Sequence, residues 1–200
     1  MPRENKTRYA VLGMLSLKPM TGYEMKGIIS QSVANFWNES FGQIYPVLNQ
    51  LAREGMVVGI EETEGRHNRT RYSLTEKGHQ VLQDWIATPP ETISFRDELL
   101  LKLFFGRETN SATLRGHLEN TLAQSRAQLA TYQGIEAQLR NRLESHPQLR
   151  FSLLTVRKGI HWEQAMIAWC LESLTALAPV IGQKNHPVKS GKPDGKSKGK

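Results

Sequence analysis

Residues 40–75 decide the fold, and they read SFGQIYPVLNQLAREGMVVGIEETEGRHNRTRYSLT. The first part is apolar at helical spacing, with apolar side chains at Ile44, Val47, Leu48 and Leu51. Pro46 fits such a helix only in or near its first turn, where a missing N–H costs least. Ser40 followed three residues later by Gln43 fits a capping box. This pattern predicts a helix over Phe41–Glu54.

The polar face of this predicted helix carries side chains suited to reading DNA. At 100° per residue, the positions that point away from the apolar face are Gln43, Pro46, Asn49, Gln50 and Arg53. Asn, Gln and Arg can form bidentate hydrogen bonds with purine edges in a major groove. An ordinary amphipathic helix with a solvated polar face has the same pattern, so the helix alone does not choose between the two.

The second part of the stretch predicts a β-hairpin over residues 56–74, here called the wing. Met56–Glu61 and Thr70–Leu74 are rich in strand-forming residues, and Glu62–Arg69 between them contains a turn-forming Glu-Gly. The basic side chains gathered near the tip are Arg66, His67, Arg69 and Arg71. Arginines there would contact phosphates or a minor groove and supply affinity and register. A solvated loop is the alternative for the hairpin alone, whereas helix and hairpin together favour DNA.

The residues before this stretch predict two supporting helices. The first covers Thr7–Leu17, and the second opens at the capping box Thr21–Glu24 and continues to about Ala34. Two aromatic residues of the following connector are expected to close the helical core, Phe36 and Trp37. Helix, helix, polar-faced helix and hairpin is the order of a winged helix-turn-helix.

A domain boundary is predicted at Thr88-Pro89-Pro90, after a helix capped by Thr75. Residues 1–88 then form a winged helix-turn-helix domain and residues 91–178 a helical domain. The predicted fold class is mainly α with a small β-hairpin.

The helical domain is predicted to contain a short helix over Phe95–Phe105, a long helix from Asn110-Ser111 to about Ser145, and a final helix over about Gln148–Ala178. The final helix is apolar over most of its circumference, which requires burial on several sides. A second copy of the chain is the simplest cover. The expected dimer interface includes Leu118, Leu122, Leu129, Ile160, Trp162, Met166 and Trp169. The alternative is a monomeric helical hairpin with a large exposed apolar patch.

The charge of the chain is concentrated in its tail. The net charge is +7, and from Gly182 onward six lysines oppose one acidic residue, Asp194, which leaves +2 for residues 1–181. Residues 182–200 are rich in Lys, Gly, Pro and Ser and are predicted to be disordered. A mean hydropathy of −0.48 and the lack of a signal-peptide core or membrane-length apolar run predict a cytoplasmic protein without membrane contact.

Enzyme and metal chemistry are not expected. The sequence has no phosphate-binding or dinucleotide-binding glycine motif, no i, i+4 pairing among its six histidines, and no convergent set of catalytic residues. We therefore expect no cofactor and no metal. Cys170 lies on the apolar face of the last helix, where a buried inert thiol is expected; a redox switch would require an exposed thiolate.

Three runs resemble the winged-helix domain of PadR-type transcriptional regulators. They are YAVLGMLSLKPMTGYEMKGII, FWNESFGQIYPVLNQLAREGMV and RYSLTEKG, at residues 9–29, 36–57 and 71–78. The segment Trp85–Phe105, with the helical residues behind it, looks like the subfamily of the virulence activator AphA.

The resemblance implies a homodimer, joined through its C-terminal helices, that binds an inverted repeat in double-stranded DNA. It also points to Gln43, Tyr45, Pro46 and the wing arginines as DNA contacts. Some members of the family respond to phenolic acids or other small aromatic effectors, and AphA-like members can act with a partner regulator. A different function is a winged-helix protein-interaction module without specific DNA binding, which the near-neutral charge of residues 1–181 favours.

Overall fold

The computed structural model describes residues 6–31, 41–64, 67–91 and 96–177. The chain divides into two compact units, residues 1–93 and 94–200. The predictions made for Phe36, Trp37, Arg66 and the tail 182–200 fall outside the described residues, as does the predicted cap at Ser40. No helix within the described ranges is both long and apolar enough to cross a membrane.

The first unit has the predicted order of helices and strands. Its elements are α1 (Thr7–Leu17), β1 (Met20–Thr21), α2 (Gly22–Gln31), a 3-10 turn (Phe41–Gln43), α3 (Ile44–Arg53), β2 (Val57–Glu64), β3 (His67–Leu74) and α4 (Glu76–Ala87). Regular α-helix therefore begins three residues later than predicted. Gln43 is the N-cap of α3, and its side chain makes no capping hydrogen bond. Gly55 follows α3 with a φ of 71°, a left-handed conformation in which glycine is unstrained.

The sheet has three antiparallel strands in the order β1-β3-β2, one more than the predicted hairpin. Strand β1 pairs Met20 with Tyr72 and Thr21 with Arg71. Its two residues are too few to show a period-2 pattern, so this strand could not be predicted from residue alternation. Strands β2 and β3 pair from Val57↔Leu74 to Glu64↔His67, which makes them longer than predicted because the expected loop is largely paired.

The core of the first unit lies between its helices and the sheet. Its fully buried side chains include Val11, Leu12, Met20, Met25, Leu48 and Leu51. The apolar face predicted for α3 is buried as expected, whereas the polar face is exposed. On the outside of this core, the rings of Tyr9 and Trp85 stack with centroids 4.5 Å apart and join α1 to α4.

Two predicted helix caps are confirmed in the first unit. At α2, the backbone N–H of Thr21 donates to Glu24 Oε2 at 2.7 Å, and the N–H of Glu24 donates to Thr21 Oγ1 at 3.2 Å. At α4, the N–H of Gly78 donates to Thr75 Oγ1 at 3.1 Å. These caps fix the residues at which α2 and α4 begin.

The second unit is helical throughout its described residues. It contains α5 (Glu98–Phe104), a 3-10 turn (Gly106–Glu108), α6 (Ser111–Arg142) and α7 (Leu149–Leu177). Helices α6 and α7 pack along each other as an antiparallel hairpin, in which Cys170 joins Leu118 and Leu122 in a buried cluster. A Cβ at Gly159 would lie 2.8 Å from the ring of Tyr132, so the absence of a side chain there allows the two helices to approach closely.

Candidate nucleic-acid interface and dimer surface

The exposed face of α3 carries every residue of that helix predicted to contact DNA. All six predicted side chains of this region are exposed: Gln43, Tyr45, Pro46, Asn49, Gln50 and Arg53. Opposite them, the buried face of α3 packs into the core. Amide and guanidinium groups on one exposed helix face can form hydrogen bonds with base edges in a major groove.

Two of these side chains have contacts that restrict their position. The amide nitrogen of Gln50 donates to Glu54 Oε1 at 2.7 Å, while Glu54 Oε2 accepts from Arg8 at 2.8 Å. Tyr45 lies over the start of α2, because a Cβ at Gly22 would be 2.7 Å from Tyr45 Cε1. Gln50 is thereby linked to α1, and Tyr45 lies at the junction of α2 and α3.

An open groove separates α3 from the wing. Its lining combines the two predicted residues Asn49 and Arg53 with four others: Ala52, Gly59, Thr70 and Tyr72. None of these four residues was predicted from the sequence to line the site. The period-2 alternation of a strand was the available signal, because it places residues 70 and 72 on one face and the neighbouring arginines on the other.

Glycine at position 59 is required by the strand opposite it. A Cβ there would lie 2.7 Å from Thr70 Cγ2 and 3.2 Å from Tyr72 Cε1. Both distances are shorter than ordinary van der Waals contact. The floor of the groove is therefore formed by Thr70 and Tyr72 of β3, whose side chains lie across Gly59 of β2.

Arg71 differs from the exposed wing arginine that the sequence predicted. Its Nε donates to both carboxylate oxygens of Glu62 at 2.9 Å, and its Nη1 donates to Glu24 Oε2 at 3.2 Å and to the carbonyl of Pro19 at 3.3 Å. The Glu62 hydrogen bond raises the pKa of Arg71 further above its ordinary value. Its guanidinium is thus engaged within the first unit, and its predicted role in DNA binding stays a prediction.

Glu24 is held in its charged form by the same group of contacts. The hydrogen bond from the Thr21 backbone N–H lowers the pKa of Glu24, with a smaller contribution from the charge of Arg71. Arg69 precedes this network on β3, is exposed, and shares a sheet face with Arg71 by strand alternation.

Three residues of the predicted dimer surface are buried within their own chain. Leu118 is completely buried by its own chain, and Leu122 and Ile160 are at most 8% exposed, so they leave almost no surface for a partner. Leu118 and Leu122 pack with Cys170 in the buried cluster between α6 and α7. The predicted place of these three residues in a dimer interface stays a prediction. Three further predicted residues are half-buried: Leu129, Met166 and Trp169.

Large apolar side chains are nevertheless exposed on the second unit. Trp162, a predicted interface residue, is 45% exposed, with Lys158 Nζ 5.1 Å from its ring centroid. The other exposed apolar residues of α7 are Phe151, Leu154 and Leu171, and those of α5 and its C-terminal end are Leu100, Leu101, Phe104 and Phe105.

Within residues 6–31, 41–64, 67–91 and 96–177, no group of three His, Cys, Asp or Glu side chains could hold a metal ion.

Both units of the chain match known protein families. The model described as "Transcriptional regulator PadR-like family" matches residues 11–84, and "Virulence activator alpha C-term" matches residues 95–178. The structure of the Vibrio cholerae virulence activator AphA is 30% identical in sequence, with 86% of this chain and 98% of that chain covered and a TM-score of 0.71. The chain belongs to the PadR-like family of transcriptional regulators. The predicted resemblance is confirmed.

Another PadR-like protein with similarity over most of the chain is the negative transcriptional regulator PadR of Bacillus subtilis. It is 28% identical over 180 residues, with 85% of this chain and 96% of that protein covered. Its crystal structure in complex with operator DNA has a TM-score of 0.79 at 25% identity, covering 88% and 99% of the two chains. Its complex with p-coumaric acid has a TM-score of 0.72 at 24% identity, covering 88% and 98%.

Proposed function

We propose that this PadR-like regulator is a homodimer that binds an inverted-repeat operator through the recognition helix, residues 41–54, and the wing, residues 56–74. The observation that carries the proposal is the exposed polar face of α3 beside the groove that it forms with the wing. Residues 1–88 would serve as the DNA-binding domain and residues 91–178 as the dimerisation domain.

The division of roles within the interface follows from chemistry. Asn49 and Arg53 line the groove and have the hydrogen-bonding groups needed to read base edges. Arg69, and Arg66 between β2 and β3 in the sequence, would contact phosphates and set affinity and register. Tyr45 and Pro46 would contact the duplex near the start of α3.

The exposed apolar side chains of α7 support a dimer. Phe151 and Leu154 are 68% and 65% exposed, and both lie on a helix that is otherwise packed against α6. Burial of such side chains against a second copy would remove apolar area from water, which is the main favourable term in association. A two-fold dimer would also present two recognition helices to the two halves of an inverted repeat.

A small aromatic ligand is proposed as the modulator of this regulator. The support is the complex of the related Bacillus subtilis PadR with p-coumaric acid. Addition of phenolic acids to the protein–DNA complex would test this: release of DNA by one of them at a defined stoichiometry is the expected result. The cytoplasmic location expected from the sequence stays a prediction.

Fluorescence anisotropy tests the DNA-binding proposal. The purified protein is titrated onto a duplex from its own upstream region and onto a scrambled duplex at about 150 mM salt, and we expect a preference of about 10³-fold or more. Asn49→Ala and Arg53→Ala should each lower that preference by about tenfold. Gln83→Ala, which changes an exposed amide on α4, is the matched control and should have no effect.

Equal binding to both duplexes would contradict the proposal. That result would favour the alternative function, in which the winged-helix unit binds another protein. Sedimentation of the free protein tests the homodimer separately, because a single monomeric species at micromolar concentration would exclude it whatever the DNA result.

A further inference from the structure

The sheet changes from three strands to two after the pair formed by Thr21 and Arg71. Strand β1 ends at Thr21, which pairs with Arg71, and beyond this point only β2 and β3 continue. Residues 61–64 and 67–70 therefore form a two-stranded ribbon. Isolated two-stranded ribbons are only marginally stable in water. The direction in which this ribbon leaves the first unit depends on contacts at its base.

Arg71 provides contacts at that base to three different segments. Its guanidinium binds Glu62 on the ribbon, Glu24 in the first turn of α2, and the carbonyl of Pro19 before β1. Glu24 in turn accepts from the backbone N–H of Thr21, so the same carboxylate caps α2 and holds the arginine. One side chain thereby links the ribbon to the helix that precedes the recognition helix.

The charges around Arg71 also distinguish it from a phosphate-binding residue. The guanidinium faces two carboxylates: its single Nε–H is shared between both oxygens of Glu62 in a charge-assisted pair, and its Nη1 donates to Glu24. Transfer of this arginine to a phosphate would leave Glu62 and Glu24 without its charge next to an anionic duplex. Arg69, two pairs further along the ribbon, is exposed and paired in register with Glu62.

We infer that Arg71 is a positioning residue, which holds the wing ribbon in the orientation that brings Arg69 to the DNA backbone. This inference rests on the proposed function for its DNA readouts, and it deepens that proposal by separating two arginines that the sequence makes equivalent. Arg69 acts on the duplex, whereas Arg71 acts through Arg69 by way of Glu62.

Two glutamates of the wing give a test with opposite signs. Glu61 and Glu62 are adjacent and exposed, but alternation places them on opposite faces of β2, with only Glu62 bound to Arg71. Removal of a carboxylate near DNA should tighten binding by reducing repulsion, and this is the result expected for Glu61→Ala. Glu62→Ala removes the same charge, yet it should weaken binding by about threefold to tenfold because the ribbon loses its anchor.

The salt dependence separates positioning from direct contact. Arg69→Ala and Arg71→Gln should each flatten the plot of log K against log salt by about one unit. The double variant should also lose only about one unit, because both changes remove the same phosphate contact. A loss of about two units would show two independent contacts and overturn the inference. Arg71→Lys should behave like Arg71→Gln, since the one ammonium group of lysine cannot replace the two guanidinium nitrogens that reach Glu62 and Glu24, whereas a simple phosphate contact would survive this change.

Hydrogen exchange tests the positioning without DNA. Amides of residues 57–74 should exchange faster in Glu62→Ala and Arg71→Gln than in the wild type, whereas Glu61→Ala should leave them unchanged. Unchanged exchange in the first two variants would overturn the inference even if DNA binding failed for every protein. Absence of specific binding by the wild type would overturn the proposed function alone. Chemical unfolding confirms that each variant is folded, and Glu62→Ala carries the test if Arg71→Gln is not.

Discussion

The two units of the chain differ in how much of their apolar surface they bury. In the first unit, the helices and the sheet enclose Leu12, Met20 and Leu48 completely. In the second unit, α6 and α7 bury one side of each other, but Phe151 and Trp162 on α7 are 68% and 45% exposed. The helices and the sheet of the first unit enclose its core together, whereas a helical hairpin has only one internal face.

This difference separates the tasks that the two units can perform. A unit with a closed core can present polar side chains at a fixed geometry, and α3 does so. A unit with surplus apolar surface is suited to association, because large apolar patches on a monomer cost free energy in water. Burial thus supports the proposed assignment of recognition and assembly to different parts of the chain.

The largest effect expected from this comparison is on self-association. Phe151→Ala combined with Trp162→Ala should weaken the dimer by about 10²- to 10³-fold, because aromatic side chains dominate interface energies. Analytical ultracentrifugation across a concentration series measures the change. The DNA-binding proposal adds that this double variant should lose affinity for a full inverted repeat while it retains affinity for a half-site.

A matched control comes from the first unit. Leu17→Ala also removes a large side chain that is 67% exposed, but it lies at the end of α1. It should leave the association constant unchanged. Equal effects of the two changes would contradict the division of roles between the units.

Much of the first unit could be predicted because its signals are local. Helix α1 has the predicted bounds, and the capping box of Thr21 and Glu24 forms as expected, since both features depend on neighbouring residues. The face of α3 could be assigned because 3.6 residues per turn relates sequence spacing to direction. Such rules require no knowledge of the rest of the chain.

The features that escaped prediction depend on residues far apart in sequence. The short strand β1 exists because of its partner β3, fifty residues away, and Arg71 is engaged because Glu24 and Glu62 converge on it. A basic residue in a hairpin is expected to be exposed as long as the register, and with it the acidic side chains beside the residue, is unknown. The dimer surface poses the same difficulty, because apolar spacing on α6 does not say whether Leu118 faces its own chain or another.

Glycines in the two units offer a second, smaller contrast. A Cβ at Gly78 in α4 would clash with the backbone oxygen of Met56, whereas nothing lies within 4 Å of one at Gly134 in α6. Gly78→Ala should therefore cost about 2 kcal/mol of unfolding free energy by overpacking. Gly134→Ala should stabilise α6 by about 0.5–1 kcal/mol through helix propensity. Urea unfolding measures both, and a destabilising Gly134→Ala would indicate that a second copy covers that face.

The smallest expected effect is the pH dependence of the stability of the second unit. Burial raises the pKa of the Cys170 thiol above its ordinary value of 9.0, because the thiolate is disfavoured among apolar side chains. The resulting stability is fully present below the pKa of the unfolded chain and is lost as pH rises from about 9 towards the folded pKa, by at most about 1.4 kcal/mol per pH unit.

Comparison of wild type with Cys170→Ala by chemical unfolding at pH 8 and pH 10 isolates this contribution from the titration of lysines and tyrosines. The variant is less stable at pH 8 because of its cavity, but the gap should narrow at pH 10. A constant gap would mean that the thiol ionises equally in both states, which would place Cys170 in contact with water.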